Sequence, residues 1–188
     1  KGRQQGMAQV GAQLAQLEDT LPAMVIDALR GQLQRVQALS DDIEDIERKL
    51  ALWKKEDAAA KRLMAIPGVG LLTATAAVAT IGDATVFKNG RQFAAFLGLV
   101  PRQAGTGGKV RLFGISKRGD TYLRKLLIHG ARSVITHQKA RAPWLEQLLA
   151  RRPFNAAVVA LANKMARTIW ALLAHDRTYQ NGVTAQAA

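Results

Sequence analysis

The sequence contains no cysteine, which excludes a disulfide framework and a thiolate metal site. Its apolar runs, such as 71–81, are too short and too rich in Ala and Thr to span a bilayer. No charged and then apolar signal sequence opens the chain. We therefore expect a soluble, cytoplasmic protein without a membrane partner. The chain begins at Lys1 rather than Met, so we also expect that upstream sequence is missing.

Acidic residues are scarce in one half of the chain. The 188 residues carry a formal net charge of +13. Residues 1–87 contain 10 Lys/Arg and 11 Asp/Glu, whereas residues 88–188 contain 17 Lys/Arg and 3 Asp/Glu. A basic surface of that size repels itself unless a counter-charge is present. The asymmetry therefore predicts a polyanionic partner for the C-terminal half, in preference to a solvated basic surface with no partner.

The hydrophobic pattern predicts a mainly α fold, with a helical coiled-coil arm at 1–60, a compact helical domain at 61–176 and a flexible tail at 177–188. In the arm, after a proline at Pro22, apolar residues alternate steps of three and four. They are Val36, Leu39, Ile43, Ile46, Leu50 and Trp53. Two interpretations stay open: a coiled coil with another helix or a second subunit, and an ordinary amphipathic helix on the domain's own core.

In the domain, turn and cap residues divide the chain into short elements. We predict helices at 58–65 and 71–81, another after Asn89 or Gly90, and a short hairpin or ordered loop within 102–115. Asp120 is a good N-cap for a helix from Thr121 to about Thr136. Two more helices are expected at 143–149 and 155–174.

Two glycine-rich turns precede helices in the domain. Ile66-Pro67-Gly68-Val69-Gly70 has the form of a helix-hairpin-helix turn, in which Gly68 and Gly70 allow a tight bend. The backbone N–H groups at the following helix N-terminus can bind a DNA phosphate without reading sequence. A purely structural connection between two helices is the alternative.

The second turn, Gly105 to Arg111, places glycines beside cationic side chains, so that exposed amides and Lys or Arg could hold a phosphate together. The spacing is not that of a P-loop, and a flexible hairpin tip explains the glycines equally well. The following run, Ser116 to Asp120, adds a hydroxyl between cations. The candidate nucleic-acid-binding side chains are Arg102, Lys109, Arg111, Lys117, Arg118 and Arg124, with Arg132 extending the face of Arg124.

Catalytic chemistry is restricted by the shortage of acids. Two-metal phosphoryl transfer needs clustered carboxylates, and the basic half offers only Asp120, Glu146 and Asp176. A hydroxyl nucleophile supported by cations remains possible. Of the three serines, Ser40 lies in the arm and Ser133 on a helix, which leaves Ser116 and Thr106 as the candidate nucleophiles. We predict no metal site in this chain.

Residues 66–135 resemble a known family. The run from IPGVG through GLVPRQAGTGGK to ISKRGDTYLRKLLIHGARSVI is similar to the C-terminal domain of the insertion-sequence-one-ten family of transposases, the bridge-RNA-guided recombinases. The preceding acidic helix resembles the family's coiled-coil segment. The resemblance implies a bacterial, nucleoid-associated recombinase that dimerises through the coiled coil and binds a structured guide RNA together with DNA.

The resemblance also implies a division of the chemistry. Family members carry Mg²⁺ on an N-terminal RuvC-like domain, and a serine of the C-terminal domain attacks the phosphodiester. This chain departs from the pattern twice. It has no RuvC-like domain, so we expect a fragment that binds without strand transfer. The family serine follows the GL-x-P motif, here Gly98 to Pro101, and aligns with Thr106, with Ser116 as the second candidate. The alternative function is a non-catalytic nucleic-acid-binding module or an inactive fragment, and a third is an adaptor built on the coiled coil.

Overall fold

The computed structural model describes residues 2–106, 109–138 and 140–180. Over these residues the chain forms eight α-helices, one short 3-10 helix and one two-stranded antiparallel sheet. The mainly α fold class predicted from the sequence is confirmed. The chain divides into two compact units, Lys1–Lys49 and Leu50–Ala188. The predicted boundaries at 60/61 and 176/177 stay predictions, and residues 181–188 of the predicted tail lie outside the described residues.

The N-terminal unit is a pair of helices. α1 spans Arg3–Gln16, and α2 spans Ala23–Glu56 and so continues into the second unit. The Pro22 carbonyl accepts from the amides of Val25 and Ile26 at 2.9 and 3.3 Å, which starts α2. An apolar groove lies between the two helices of this unit, and its lining includes Met7, Val10, Leu14, Leu29, Leu33 and Val36.

The heptad seam of α2 is largely exposed. Val36, Leu39, Ile43 and Ile46 keep 43–61% of their surface accessible. The seam predicted after Pro22 lies on one long helix, α2, and it exposes apolar surface. The coiled-coil interpretation stays a prediction.

The C-terminal unit contains the remaining elements, and each predicted helix is present within a few residues. The helices are α3 (Ala58–Leu63), α4 (Leu71–Ile81), a 3-10 helix (Ala84–Val86), α5 (Gly90–Phe96), α6 (Thr121–His137), α7 (Pro143–Arg151) and α8 (Phe154–Ala174). The strands β1 (Pro101–Thr106) and β2 (Lys109–Ile115) lie between α5 and α6. Side-chain caps fix three of the helix starts. Asp57, Asn89 and Asp120 accept from the amides three residues later at 2.7, 3.0 and 2.7 Å.

α8 lies at the centre of this unit and packs on α3, α5, α6 and α7. Its Ile169 is fully buried with Phe93 of α5 and Leu127 of α6. The Trp170 indole N–H donates to the carbonyls of Ala84 and Phe87 at 3.0 and 3.2 Å, which fixes the 3-10 turn on α8. By length and composition alone α8 could also cross a membrane, but its apolar face forms this core.

Candidate nucleic-acid interface

The stretch predicted to be a hairpin or an ordered loop is a hairpin. β1 and β2 are antiparallel, and Thr106 and Lys109 form the last pair before the tip. The predicted phosphate-binding glycines Gly107 and Gly108 lie outside the described residues. Near the base, Pro101 pairs with Ile115 but Gln103 pairs with Leu112. One strand therefore has an extra residue, a β-bulge that sets Phe113 and Gly114 against Arg102.

One face of the hairpin collects its cations. Side chains alternate along a strand, so Lys109, Arg111 and Phe113 share a face of β2. The Arg102 guanidinium carbon lies 5.2 Å from the centroid of the Phe113 ring, which places Arg102 with them. All four residues are exposed. We call these four residues the hairpin cationic face. Sequence reasoning found its cations but missed Phe113, which the pairing of β1 with β2 sets beside Arg102.

The charge of this face is not offset nearby in the sequence. Between Asp83 and Asp120 there is no Asp or Glu. An exposed cation stacked on an aromatic ring keeps its N–H donors directed outward. The face therefore combines point charge and an exposed ring, the two features with which a β-ribbon or a single-strand platform holds nucleic acid.

The loop after β2 is held tightly against the end of α5. The amides of Ser116 and Lys117 donate to the carbonyls of Val100 and Gly98 at 2.8 and 3.1 Å. Gly98 and Gly119 both have positive φ, at 70° and 78°. A Cβ at Gly119 would overlap the Phe96 carbonyl oxygen. Only glycine permits so close an approach, so the loop that carries Lys117 and Arg118 has a defined backbone path.

Both predicted cations of this loop are exposed. Lys117 has a φ of 57°, in the left-handed region that non-glycine residues seldom adopt. Lys117 and Arg118 make no ion pair among the described residues. Their side chains are thus available to an anion, while their backbone is fixed by the neighbouring hydrogen bonds.

Arg124 has a different role from the one predicted. It is only 7% exposed, and its Nη1 donates to the carbonyls of Leu97 and Arg118 at 2.9 and 3.1 Å. Its Nη2 donates to the Thr121 hydroxyl at 3.1 Å. The assignment of Arg124 to phosphate binding does not fit this placement, because its donors are used inside the protein. The residue instead fastens the 116–120 loop to the end of α5. Arg132, predicted to extend the same face, is exposed.

The two candidate nucleophiles lie at opposite ends of the hairpin. Thr106 pairs with Lys109 at the tip, whereas Ser116 follows the last residue of β2 at the base. At about 3.3 Å per residue, their backbones are about 20 Å apart along the strand. Ser116 is half-buried, and its hydroxyl has no hydrogen-bond partner among the residues that the structure describes. Backbones this far apart do not bring both residues to the same phosphodiester in one chain.

The predicted turn between α3 and α4 packs on α6. Gly68 has a φ of 83°, and a Cβ there would lie 2.7 Å from the Gly130 carbonyl oxygen and 2.8 Å from a methyl of Val134. Gly68 is thus required by close packing between the turn and α6. Gly70 is the N-cap of α4 without a side-chain cap, and a Cβ there would meet open space. Phosphate binding by this turn stays a prediction.

The three carboxylates of the basic half are separated. Asp120 caps α6 and accepts from the Thr80 hydroxyl at 3.4 Å, Asp176 pairs with Arg62, and Glu146 lies in the first turn of α7. Within 2–106, 109–138 and 140–180, no three His, Asp or Glu side chains form a group that could hold a metal ion.

Comparison with known proteins gives a family for this part of the chain. Residues 60–145 match the family described as "Transposase IS116/IS110/IS902 family". The "Probable family 20 transposase" of Pseudomonas aeruginosa is 48% identical over 186 residues, which are 97% of this chain and 55% of that protein. The "Transposase for insertion sequence element IS1111A" of Coxiella burnetii is 49% identical over 144 residues, which are 74% of this chain and 40% of that protein.

A third relative has a similar extent. The "Transposase for insertion sequence element IS1328" of Yersinia enterocolitica is 42% identical over 157 residues, or 81% of this chain and 47% of that protein. The chain therefore spans about half the length of the curated relatives it matches. The matched segment includes α4, the hairpin and α6, the elements that build the interface described above. Residues 60–145 therefore form a transposase domain of the IS116/IS110/IS902 family.

Proposed function

We propose that this chain is the C-terminal part of a transposase, which acts in DNA transposition by binding DNA and a structured guide RNA. The observation that carries the proposal is the hairpin cationic face, together with the adjoining cations Lys117 and Arg118. These five positively charged side chains stand in a segment without acids, on a backbone whose path is fixed by glycines and by Arg124. A polyanion is the ligand that such a surface attracts.

The geometry of the hairpin suits a double helix. A two-stranded ribbon is narrow enough to enter the major groove of B-DNA, and its Lys and Arg side chains then reach phosphates on either side. The exposed Phe113 ring adds a surface on which an unpaired base can stack. Contacts of this kind to phosphate fix orientation and carry no sequence information. Sequence selection is accordingly assigned to the guide RNA.

We further propose that one of the two candidate hydroxyls, that of Thr106 or that of Ser116, is the nucleophile. Its oxygen forms a bond to phosphorus while the bond from phosphorus to one deoxyribose oxygen breaks. The hydroxyl proton is given up, and the departing oxygen takes a proton and leaves as an alcohol. The phosphoester is conserved in a covalent DNA intermediate. Thr106 has a neighbouring cation in Lys109, its cross-strand partner, and Ser116 is followed by Lys117 and Arg118.

A magnesium ion is part of the chemistry that the family resemblance implies. The residues of this chain do not fit a Mg²⁺ site. Asp120 accepts from the Leu123 amide and Asp176 pairs with Arg62. In the described part of the chain, neither belongs to a group of three His, Asp or Glu side chains that could hold a metal ion. We propose that any Mg²⁺ is held by a part of the transposase outside these residues. The chain alone should then bind nucleic acid without strand transfer.

The exposed seam of α2 is the part of the proposal that concerns assembly. Its four residues from Val36 to Ile46 keep the spacing of a coiled coil. A homo-oligomer formed through this seam would bring two copies of the basic unit to one DNA complex. The alternative function is a non-catalytic nucleic-acid-binding module or an inactive transposase fragment. It uses the same cationic surface, but in it neither Thr106 nor Ser116 acts as a nucleophile.

The proposal is tested by nucleic-acid binding at two salt concentrations. Duplex DNA and structured RNA are titrated with the chain and with the triple variant Arg102→Gln/Lys109→Gln/Arg111→Gln. The plot of log K against log salt has a negative slope, and loss of three phosphate contacts should make that slope shallower by about 3. The matched control removes the same charge from the arm, as Arg35→Gln/Lys54→Gln/Lys55→Gln. Equal slopes for the two triple variants would show that the hairpin is not the binding surface.

A denaturing gel of the same samples separates the catalytic proposal from its alternative. A covalent adduct that is lost in Thr106→Val or in Ser116→Ala, with binding unchanged, identifies the nucleophile. An adduct that survives in both variants would refute both assignments. Absence of any adduct when the complete transposase is used would favour the non-catalytic module.

A further inference from the structure

One face of α6 carries exposed basic and aromatic side chains that the hairpin site does not use. The inward side of the helix consists of Leu123, Arg124, Leu127, Ala131 and Ile135, all of which are buried. The outward side, at steps of three and four, consists of Tyr122, Lys125, His129 and Arg132, all of which are exposed. We call these last four residues the α6 stripe.

The stripe is free of acidic partners. Neither Lys125 nor Arg132 forms an ion pair among the described residues. Asp120, the N-cap of α6, accepts hydrogen bonds from the amide of Leu123 and the hydroxyl of Thr80. Tyr122 is 59% exposed, although aromatic residues more often bury most of their surface. The stripe therefore presents two cations without acidic partners and an exposed amphipathic ring.

Arg132 is held in position at the far end of the stripe. Its Nη2 donates to the Asn155 side-chain oxygen at 3.0 Å, and its guanidinium carbon lies 5.4 Å from the centroid of the Phe154 ring. Both partners belong to the first turn of α8. An arginine oriented in this way loses less conformational entropy when it binds a phosphate than a freely moving one does.

We propose that the α6 stripe is a second nucleic-acid-binding surface, which takes the phosphodiester backbone of a double helix. Lys125 and Arg132 are separated by seven residues, or about 10 Å along the helix axis. One strand of a duplex presents a phosphate about every 3.4 Å of its axis. The stripe therefore spans about three phosphates of one strand, with Lys125 and Arg132 at the two ends.

This inference rests on the proposed function, because it assigns a second contact to the same class of partner. It goes beyond that function because it adds the α6 stripe to the hairpin cationic face as a second binding surface. The hairpin and the stripe lie on different elements, and only the hairpin has the ribbon shape that enters a groove. A protein that uses both surfaces contacts more of the nucleic acid than one hairpin can reach.

The test measures salt-dependent binding of the double variant Lys125→Gln/Arg132→Gln. Duplex DNA and duplex RNA of one sequence are used as separate probes, because they share the backbone chemistry. The negative slope of log K against log salt should become shallower by about 2. Between about 50 and about 200 mM salt, the variant should then lose about tenfold less affinity than the unmodified chain. The control, Arg35→Gln/Lys54→Gln, removes the same charge from the arm.

Because Arg132 also donates to Asn155, its replacement in the double variant could disturb the fold. The single variant Lys125→Gln controls for this effect. Lys125 forms no ion pair and no cation–π contact within the described residues, so Lys125→Gln should fold normally and make the salt slope shallower by about 1. Duplex DNA should also protect the Lys125 amine from acylation, as detected by mass spectrometry.

The outcomes separate this inference from the proposed function. Slopes unchanged in the stripe variants but lowered in the hairpin triple variant would overturn the second surface and leave the proposed function standing. Slopes unchanged in both sets would overturn both. An effect of the stripe variants that disappears when the hairpin is already altered would also overturn the inference, because independent surfaces add.

Discussion

The buried Arg124 gives the sharpest prediction about stability. In Arg124→Met the side chain keeps much of its length, but the carbonyls of Leu97 and Arg118 lose donors at 2.9 and 3.1 Å. Leaving a buried acceptor without a partner costs about 1–3 kcal/mol. The bond to Leu97 is buried and the bond to Arg118 is part-buried, so we expect the free energy of unfolding to fall by about 2–4 kcal/mol. Arg124→Lys should recover part of this loss, since one ammonium can reach one of the two carbonyls.

The assay is urea unfolding followed by circular dichroism. With an m value of about 2 kcal/mol/M, the midpoint should fall by about 1 M or more. The matched control is Lys125→Met, which makes the same replacement at the next, exposed position of α6 and should change stability by less than about 0.5 kcal/mol. If the two methionine variants unfolded at the same urea concentration, Arg124 would not be the fastening that the geometry describes.

Three further predictions follow from the same structure. Gly68→Ala should destabilise the chain by more than about 2 kcal/mol in thermal unfolding, because the new Cβ meets the backbone of α6 at a positive φ, whereas Gly70→Ala should stay within about 1 kcal/mol. Trp170→Phe removes the donor to two carbonyls of the 3-10 turn and should cost about 1–3 kcal/mol by urea unfolding; a smaller effect than that of Phe96→Leu at the exposed surface would contradict this. Burial, with the nearby Arg167 charge, lowers the pKa of Lys164 below its ordinary 10.5. The folded chain thus holds this proton less tightly than the unfolded chain, so stability should rise as pH approaches 10.5, and Lys164→Met should reduce that rise in urea midpoints measured from pH 8 to about 10.5.

Local signals account for the parts of the fold that the sequence predicted well. Asn89 and Asp120 cap helices through their own side chains, within three residues of the amides that they accept from. Such contacts are readable without knowledge of the rest of the chain. The sequence allows a hairpin or a loop here because glycines at a tip fit both, and only the pairing of β1 with β2 distinguishes them.

The site required information that lies far apart in the sequence. Arg124 was assigned to phosphate because its neighbours in the sequence are basic, yet its partner Leu97 is 27 residues away. A helical pattern predicts which face of α6 is apolar. It does not predict that the Leu97 carbonyl lies beside that face and accepts a hydrogen bond from Arg124. Phe113 was missed for a related reason. Its ring lies beside Arg102 because β1 pairs with β2, and the sequence alone does not give the register of that pairing.

Arg124 and Lys125 are adjacent on α6, but Arg124 is buried and Lys125 is exposed, so the two positions can separate effects on stability from effects on binding. The inward arginine fixes the loop of Lys117 and Arg118 by hydrogen bonds that salt screens weakly, whereas the outward lysine stands in water, where its attraction to phosphate depends steeply on salt. Loss of Arg124 should therefore lower the urea midpoint and, through the loosened loop, weaken binding as well. Loss of Lys125 should weaken binding with the midpoint unchanged. A chain in which Lys125→Gln lowered stability as much as Arg124→Met, and altered no salt slope, would show that α6 has one structural role and no binding face.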